Sequence, residues 1–227
     1  MDKDSIRILS FALLTVSAAL FSGCNSGTER TYYPDGTLKS EIHKKNGHYD
    51  GKATWYYEHG IKQHECWFDM DTLNGTSIRW YNNGKKHSVE YYKNNRLDSL
   101  RISYDMNGNI TREEYYRNDT LHGPVTEYYP SGQPMIEGQY YKGLYDGRWL
   151  YYEDDGHVIG IGEFDKGNGK QRGWYRSGGL KKETTYRNNM KNGKEVWYNA
   201  DGTVSRIVWY EDDEPVRTEE INPEENK

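Results

Sequence analysis

The chain has 227 residues and a formal net charge of −5, a length that suits one domain or two small ones. Leu, Ile and Val total 32, with seven before Ser22, so past residue 23 only 25 aliphatics stand beside 31 aromatics: 22 Tyr, 7 Trp, Phe68 and Phe164. That balance excludes a thick aliphatic core, a transmembrane bundle and a coiled coil, and leaves a fold in which rings supply the buried apolar area and Tyr hydroxyls the polar handle.

At the N-terminus, Lys3 and Arg7 precede an uncharged apolar run from Ile8 to Phe21. The run is short for a membrane span, and its charged-then-apolar order is that of a secretory signal. It closes in Phe21-Ser22-Gly23-Cys24, where small residues before a Cys fit cleavage at Gly23/Cys24 and acylation of the thiol. The arrangement resembles a bacterial lipobox, with Phe21 in place of the usual Leu. Residues 1–23 are therefore expected to be a lipoprotein signal peptide and Cys24 the lipidation site, with a plain signal peptide and an incidental Cys as the competing reading. Asn25 rather than Asp follows the Cys, so inner-membrane retention is not signalled. The expected location is the cell envelope, lipid-anchored, at the outer membrane rather than the inner. Residues 24–31 read as a polar tether. Cys66 is the other cysteine; with Cys24 acylated it has no intramolecular partner, so no disulfide framework is expected.

The body repeats. Glycines fall at 36, 60, 84, 108, 132, 156, 178 and 202, spaced by 24 residues except for one interval of 22. A Tyr stands three or four residues ahead of each, and an aromatic residue stands eight after seven of the eight. A second series punctuates the other end at Gly51, Gly75, Gly123, Gly147, Gly169 and Gly193, with Ser99 in the missing place. A fixed period of this kind signals a repeat architecture.

Each unit reads as two short strands and two turns. Tyr129-Pro130-Ser131-Gly132 and Tyr81-Asn82-Asn83-Gly84 hold the residues that tight turns require. Thr54-Trp55-Tyr56-Tyr57 and Glu195-Val196-Trp197-Tyr198 carry the aromatic and β-branched residues of half-buried strands. Connections this short pair each strand with the next. The expected fold is all-β, an elongated antiparallel β-meander of about eight 24-residue two-stranded repeats, sixteen strands from about Tyr32 to Tyr210. Residues 211–227, with 2 basic and 8 acidic groups, are expected to be an acidic disordered tail. The segment between 24 and 210 then holds 26 basic and 25 acidic residues, so no nucleic-acid partner is indicated.

The stretches Asp50 to Gly60, Asn192 to Tyr198 and Tyr33 to Glu41 resemble MORN-variant repeats, and the resemblance spans residues 32–210. It implies elongated antiparallel β-sheets and, for many bacterial members, an antitoxin-like label that a scaffold does not by itself fix. Two departures stand out. The fourth unit has Asp98-Ser99 for Asp/Asn-Gly, and the sixth interval is two residues short, from which a bend or bulge near residues 165–173 follows.

Little reactive chemistry is legible. The seven histidines occupy different repeat columns and make no zinc spacing. His64 and Cys66 could share a strand face but lack a third ligand, and Cys66 reads as a small packed residue. Asp69 to Gly75 opens like a calcium loop, but Leu73 and Asn74 stand where Asp or Asn and then Gly belong, and Trp80 where Glu belongs. Glu113 and Glu114 are adjacent on a strand, so they point to opposite faces and cannot act as a facing pair. No Ser occupies a nucleophile elbow. The expectation is no enzyme, no cofactor and no metal site. The role expected instead is non-catalytic binding or scaffolding in the cell envelope, through an extended β-repeat surface, toward a protein or glycan partner and with the membrane reached through the lipid anchor. An immunity or antitoxin-like protein that masks a toxin is the first alternative, and a carbohydrate-binding surface protein the second. Candidate contact residues are Trp55, Trp80, Tyr128, Trp174 and Trp197, each of which could equally serve only to hold the sheet.

Overall fold

The computed structural model describes residues 25–221, so the expected signal peptide, Cys24 and residues 222–227 lie outside the described residues. Within them the chain is all-β and forms one sheet of eighteen strands. The first half comprises β1 (Ser26–Tyr32), β2 (Leu38–Lys45), β3 (His48–Tyr56), β4 (Lys62–Asp69), β5 (Thr72–Trp80), β6 (Lys86–Lys93), β7 (Arg96–Leu97), β8 (Ser99–Tyr104) and β9 (Ile110–Arg117). The second comprises β10 (Thr120–Tyr128), β11 (Pro134–Tyr141), β12 (Leu144–Tyr152), β13 (Val158–Asp165), β14 (Asn168–Trp174), β15 (Leu180–Arg187), β16 (Met190–Tyr198), β17 (Val204–Glu211) and β18 (Glu214–Glu220). Each strand pairs antiparallel with its successor; β7 and β8 are two parts of one track beside β6. At about 4.8 Å per strand the path across the sheet is roughly 77 Å.

Sixteen expected strands become eighteen for two reasons. The track that begins at Arg96 is split around Asp98, and the meander continues past Tyr210. Residues 24–31 are not merely a tether, because β1 pairs with β2 over Ser26–Tyr32. The acidic segment from Glu211 is not all tail either. Asp212 and Asp213 both adopt positive φ and turn the chain, and Glu214–Glu220 add the first strand of a ninth unit against β17.

The two edges of the sheet are built from different turns. On the first edge, as at Tyr33 to Thr37, Gly36 donates to the Tyr33 carbonyl at 2.9 Å with φ 87°, and the pattern recurs at the glycines 24 residues on. On the second edge, two-residue turns such as Asn94-Asn95 and Asn118-Asp119 have positive φ at both positions, the primed geometry that matches strand twist.

Successive units are clipped together at both edges. On the first, a turn tyrosine donates its hydroxyl to a carbonyl 23 residues on: Tyr33 to Tyr56, Tyr57 to Trp80, Tyr81 to Tyr104, Tyr129 to Tyr152 and Tyr175 to Tyr198, at 2.6–2.9 Å. On the second, the N–H of Asn95 donates to the Leu73 carbonyl while its side-chain oxygen accepts from the Leu73 N–H; Asp71, Asp119 and Asp213 do the same for their neighbours.

The second glycine series has a different use. Opposite these glycines the pairing shifts register on most strand pairs, as between Ile42 and Lys44, because the glycine-bearing strand holds two extra residues at a bulge. Gly51, Gly75, Gly123, Gly147 and Gly193 sit in that bulge at φ 67–119°, and Ser99 at 105°. The two-residue deletion before Gly178 removes this bulge. The β13–β14 pairing is regular throughout, with Phe164 opposite Gly169 and Asp165 opposite Asn168. The bend or bulge expected near residues 165–173 is therefore the one that is lost.

Most of the buried residues lie on one face of the sheet, while Thr54, Glu65 and Val89 are buried on the other. Register joins Ile42, Ala53, Cys66, Ser77 and Glu90, then Arg101, Glu114, Val125 and Gly138, then Trp149 and Gly162, and the three runs meet where Arg101 approaches Glu90 and the Trp149 ring lies against Gly138. Ile42, Ala53 and Cys66 pack under Trp55 and Phe68; farther along, Val125, Trp149 and Phe164 pack with Tyr140, Tyr145 and Tyr151. Between these clusters the runs are polar. Arg112 Nε lies 2.6 Å from Glu114 Oε2, and Arg101 Nε lies 3.3 Å from Glu90 Oε1.

Candidate binding site

The five candidate rings are all half-buried, and they occupy two adjacent columns rather than one row. Trp80, Tyr128 and Trp174 stand four residues before a turn glycine, Trp55 and Trp197 five before. Neighbouring strand residues point to opposite faces. Tyr128 is held by its hydroxyl, which donates to Glu113 Oε2 at 2.8 Å. Trp174 ends β14 opposite Leu180. Trp197 is covered by cations, with Lys182 Nζ 4.8 Å and the Arg206 guanidinium 5.0 Å from its ring centre, while its Nε1 donates to Glu195 Oε1 at 2.9 Å.

Trp55 and Trp80 come together. They line one depression of about 430 Å³ with Tyr57, His64, Arg79 and His87, contributed by β3, β4, β5, β6 and the first-edge turn after β3. Each wall is fixed by a neighbour. Tyr57 donates to the Trp80 carbonyl, and His64 stacks on Trp55 at 5.3 Å with 18° between planes. His64 Nε2 lies 2.9 Å from Ser77 Oγ; burial and then the Arg79 charge hold its pKa below the ordinary imidazole value, which favours the neutral ring. His87 stands edge-on to Tyr81.

Two buried carboxylates lie near the depression: Glu90, which accepts from the Tyr92 hydroxyl at 3.0 Å and lies 3.3 Å from Arg101, and Glu65, which follows His64 and points to the other face. Burial pushes the Glu65 pKa up, but Lys62 at 2.7 Å and Lys52 at 3.6 Å more than offset this and hold it below the usual range. The lining of the depression contains no carboxylate, and Arg79 is exposed. The arrangement offers a guanidinium, planar and bidentate in its hydrogen bonding, beside flat aromatic surface.

His64 and Cys66 do share a face. Cys66 is 1% exposed and packs with Ile42 and Ala53, and burial pushes its thiol up to about 11, which disfavours the reactive thiolate. Among the described residues no three His, Cys, Asp or Glu side chains group to hold a metal ion.

Of this lining, the sequence alone points to Trp55 and Trp80 as candidate contacts and raises His64 only as a metal ligand; it does not single out Arg79, Tyr57 or His87 as contacts. The signal was present in one column. Five residues before the turn glycines stand Thr31, Trp55, Arg79, Ser103, Glu127, Tyr151, Gly173 and Trp197, and Arg79 is the one cation among them.

A single sheet of stacked hairpins with a ligand-sized depression across adjoining units defines a β-repeat protein, an architecture that suggests a binding or scaffold module. Residues 26–46, 73–94, 121–142 and 168–188 match the family model for the MORN repeat variant, so these four stretches are similar to that repeat. Each matched stretch is centred on one first-edge hairpin: β1–β2, β5–β6, β10–β11 and β14–β15. No curated protein matches the chain. Among solved structures, a chain of TcdB2-TccC3-Cdc42 aligns over 82% of this chain and 12% of its own length, at 11% identity and a TM-score of 0.25.

Proposed function

We propose that the chain is a non-catalytic binding module of the bacterial cell envelope, tethered through an acylated Cys24, which captures its partner at the depression formed by Trp55, Trp80 and Arg79. One observation carries this reading. Arg79 presents a charged, exposed guanidinium into an aromatic depression whose lining has no acid to neutralise it. The sheet does not need such a residue, since the same column holds Ser103 and Gly173 in other units.

The test is crosslinked co-purification of the tagged protein from its own envelope, comparing the native chain with Arg79→Gln and Trp80→Ala. Both variants are expected to lose the dominant partner. Arg79→Gln, at an exposed position, should also keep the thermal midpoint of the native protein, whereas Trp80→Ala removes a half-buried ring and should lower it. Unchanged capture by both would sink the proposal. The identity of the partner separates the finer readings: a secreted toxin means immunity, an envelope protein means scaffolding, and a glycan means sugar binding. Cys24→Ser is expected to release the protein from membranes. An unmodified Cys24 in the native host, read by mass spectrometry of the N-terminal peptide, would defeat the anchoring.

A further inference from the structure

We infer that the second edge of the sheet carries a separate site for a linear acidic polysaccharide, running across three consecutive hairpins. The core of this site is Lys93, Arg96, Arg117 and Lys142. All four are exposed, and none forms an ion pair among the described residues. Lys93, Arg96 and Arg117 line a depression of about 490 Å³; Arg117 and Lys142 line a second of about 440 Å³, and both depressions contain Asn118. They are therefore two stretches of one groove rather than two pockets.

The acids along this stretch are already engaged. Asp119 Oδ1 accepts from the Leu97 N–H at 2.7 Å, and Asp98 Oδ1 accepts from the Asn118 N–H at 3.3 Å. Asp98, which lines the larger depression, and Asp119 keep their charge but are held by backbone N–H groups, and four cations stand against these two acids. Successive hairpins on this edge are two strands apart, roughly 9.5 Å, which is comparable to the length of a disaccharide. An exposed ring continues the line. Tyr141 is 37% exposed, with Lys142 Nζ at 5.5 Å and Lys166 Nζ at 5.7 Å from its ring centre. Cations alternating with an open aromatic surface suit a chain of sugar rings that carry acid groups.

The rest of the same edge argues for a chain over a flat anionic surface. Asp69 and Asp71 stand at the hairpin before the basic stretch, and Glu211, Asp212, Asp213 and Glu214 at the last one, all exposed. A membrane laid against this edge would meet those acids too and be repelled by them, within a Debye length of about 8–10 Å. A flexible polymer can follow the basic hairpins alone.

The experiment measures binding of an oligogalacturonate to the full chain at low salt, beside neutral dextran, phosphatidylglycerol vesicles and an oligothymidylate. The expected result is binding of the oligogalacturonate, weakened about tenfold or more in the triple variant Arg96→Gln, Arg117→Gln, Lys142→Gln, with the slope of log affinity against log salt reduced by about three. The first-edge control Lys85→Gln, Lys181→Gln should bind as the native chain does. Because the three positions are exposed, the circular dichroism spectrum should not change. An oligogalacturonate that binds the triple variant as tightly as the native chain, or does not bind the native chain at all, overturns the inference. So does tighter binding of the vesicles or the oligothymidylate.

Discussion

Single residues set how well each unit keeps its register. Ser99 occupies a bulge that five glycines fill elsewhere, and holds φ 105° with a Cβ that disfavours it. Ser99→Gly is accordingly expected to stabilise the sheet by about 1 kcal/mol, read as a shift of the denaturation midpoint without a change in slope. A loss of stability would show that the split between β7 and β8 serves the fold in some other way. Gly138 is constrained in the opposite sense. A Cβ there would stand 2.2 Å from Trp149 Cδ2, in the middle of the larger aromatic cluster. Gly138→Ala must push the indole aside and is expected to cost roughly 1–3 kcal/mol, the range for overpacking a filled core. Trp149 fluorescence should shift in the same variant. The turn tyrosines tell a similar story: removing one hydroxyl, as in Tyr81→Phe, should cost about 0.5–1.5 kcal/mol by leaving the Tyr104 carbonyl without that donor.

At the level of strands and hairpins, direction and columns both matter. Removing Ile61–Gly84 takes out one period, so β3 would meet β6 with its faces and direction preserved: Ala53 would face Glu90 where it now faces Cys66, and Thr54 would face Val89. Removing twelve residues instead takes out one strand and one kind of turn, which reverses every later strand relative to its column. The 24-residue deletion is expected to melt cooperatively, and the twelve-residue deletion to lose that transition, as followed by circular dichroism. Equal behaviour would mean that column identity does not govern pairing. This dependence explains how much could be read beforehand. The meander was legible because Gly36 and its successors mark one edge and Gly51 and its successors the other. The fate of the short interval was not, because the spacing alone does not say that the second glycine series sits in a bulge which two deleted residues would erase. β18 was missed because Glu211–Glu220 has the composition of a solvated tail. Its pairing depends instead on the Asp212-Asp213 turn and on Asp213, which accepts from the Lys191 N–H. The depression was half legible. Indoles announce themselves in composition, whereas Arg79 matters only because register places it beside them.

For the molecule as a whole, a sheet filled with tyrosines and paired carboxylates should be bounded in pH from both sides. On the acid side the relevant groups are Glu65, Glu183 and Glu195. Burial raises Glu195, but Lys191 at 2.9 Å, Lys182, Thr184 and Trp197 outweigh it and leave the pKa below the ordinary value. Hydrogen bonding from Lys170, with help from Arg172, does the same for Glu183. A depressed folded pKa gives stability that is present above the unfolded value of about 4.3 and is lost as pH falls through the folded value. On the alkaline side Tyr92 and Tyr140 are pushed up to about 12, chiefly by burial, and Tyr151 is raised further. A raised folded pKa gives stability that is full below the unfolded value of about 10 and disappears as pH climbs toward 12. The thermal midpoint is therefore expected to hold a plateau from about pH 5 to 9, decline below about 4, and fall again above about 10. Tyrosinate absorbance distinguishes the cause on the alkaline side. If the buried hydroxyls govern stability, a fraction of the absorbance must appear together with unfolding, after the exposed tyrosines have titrated. A single smooth titration completed while the sheet is still folded would show that these rings are wetter than their packing against Glu90, Tyr145 and Tyr186 implies, and the alkaline limit would then need another origin.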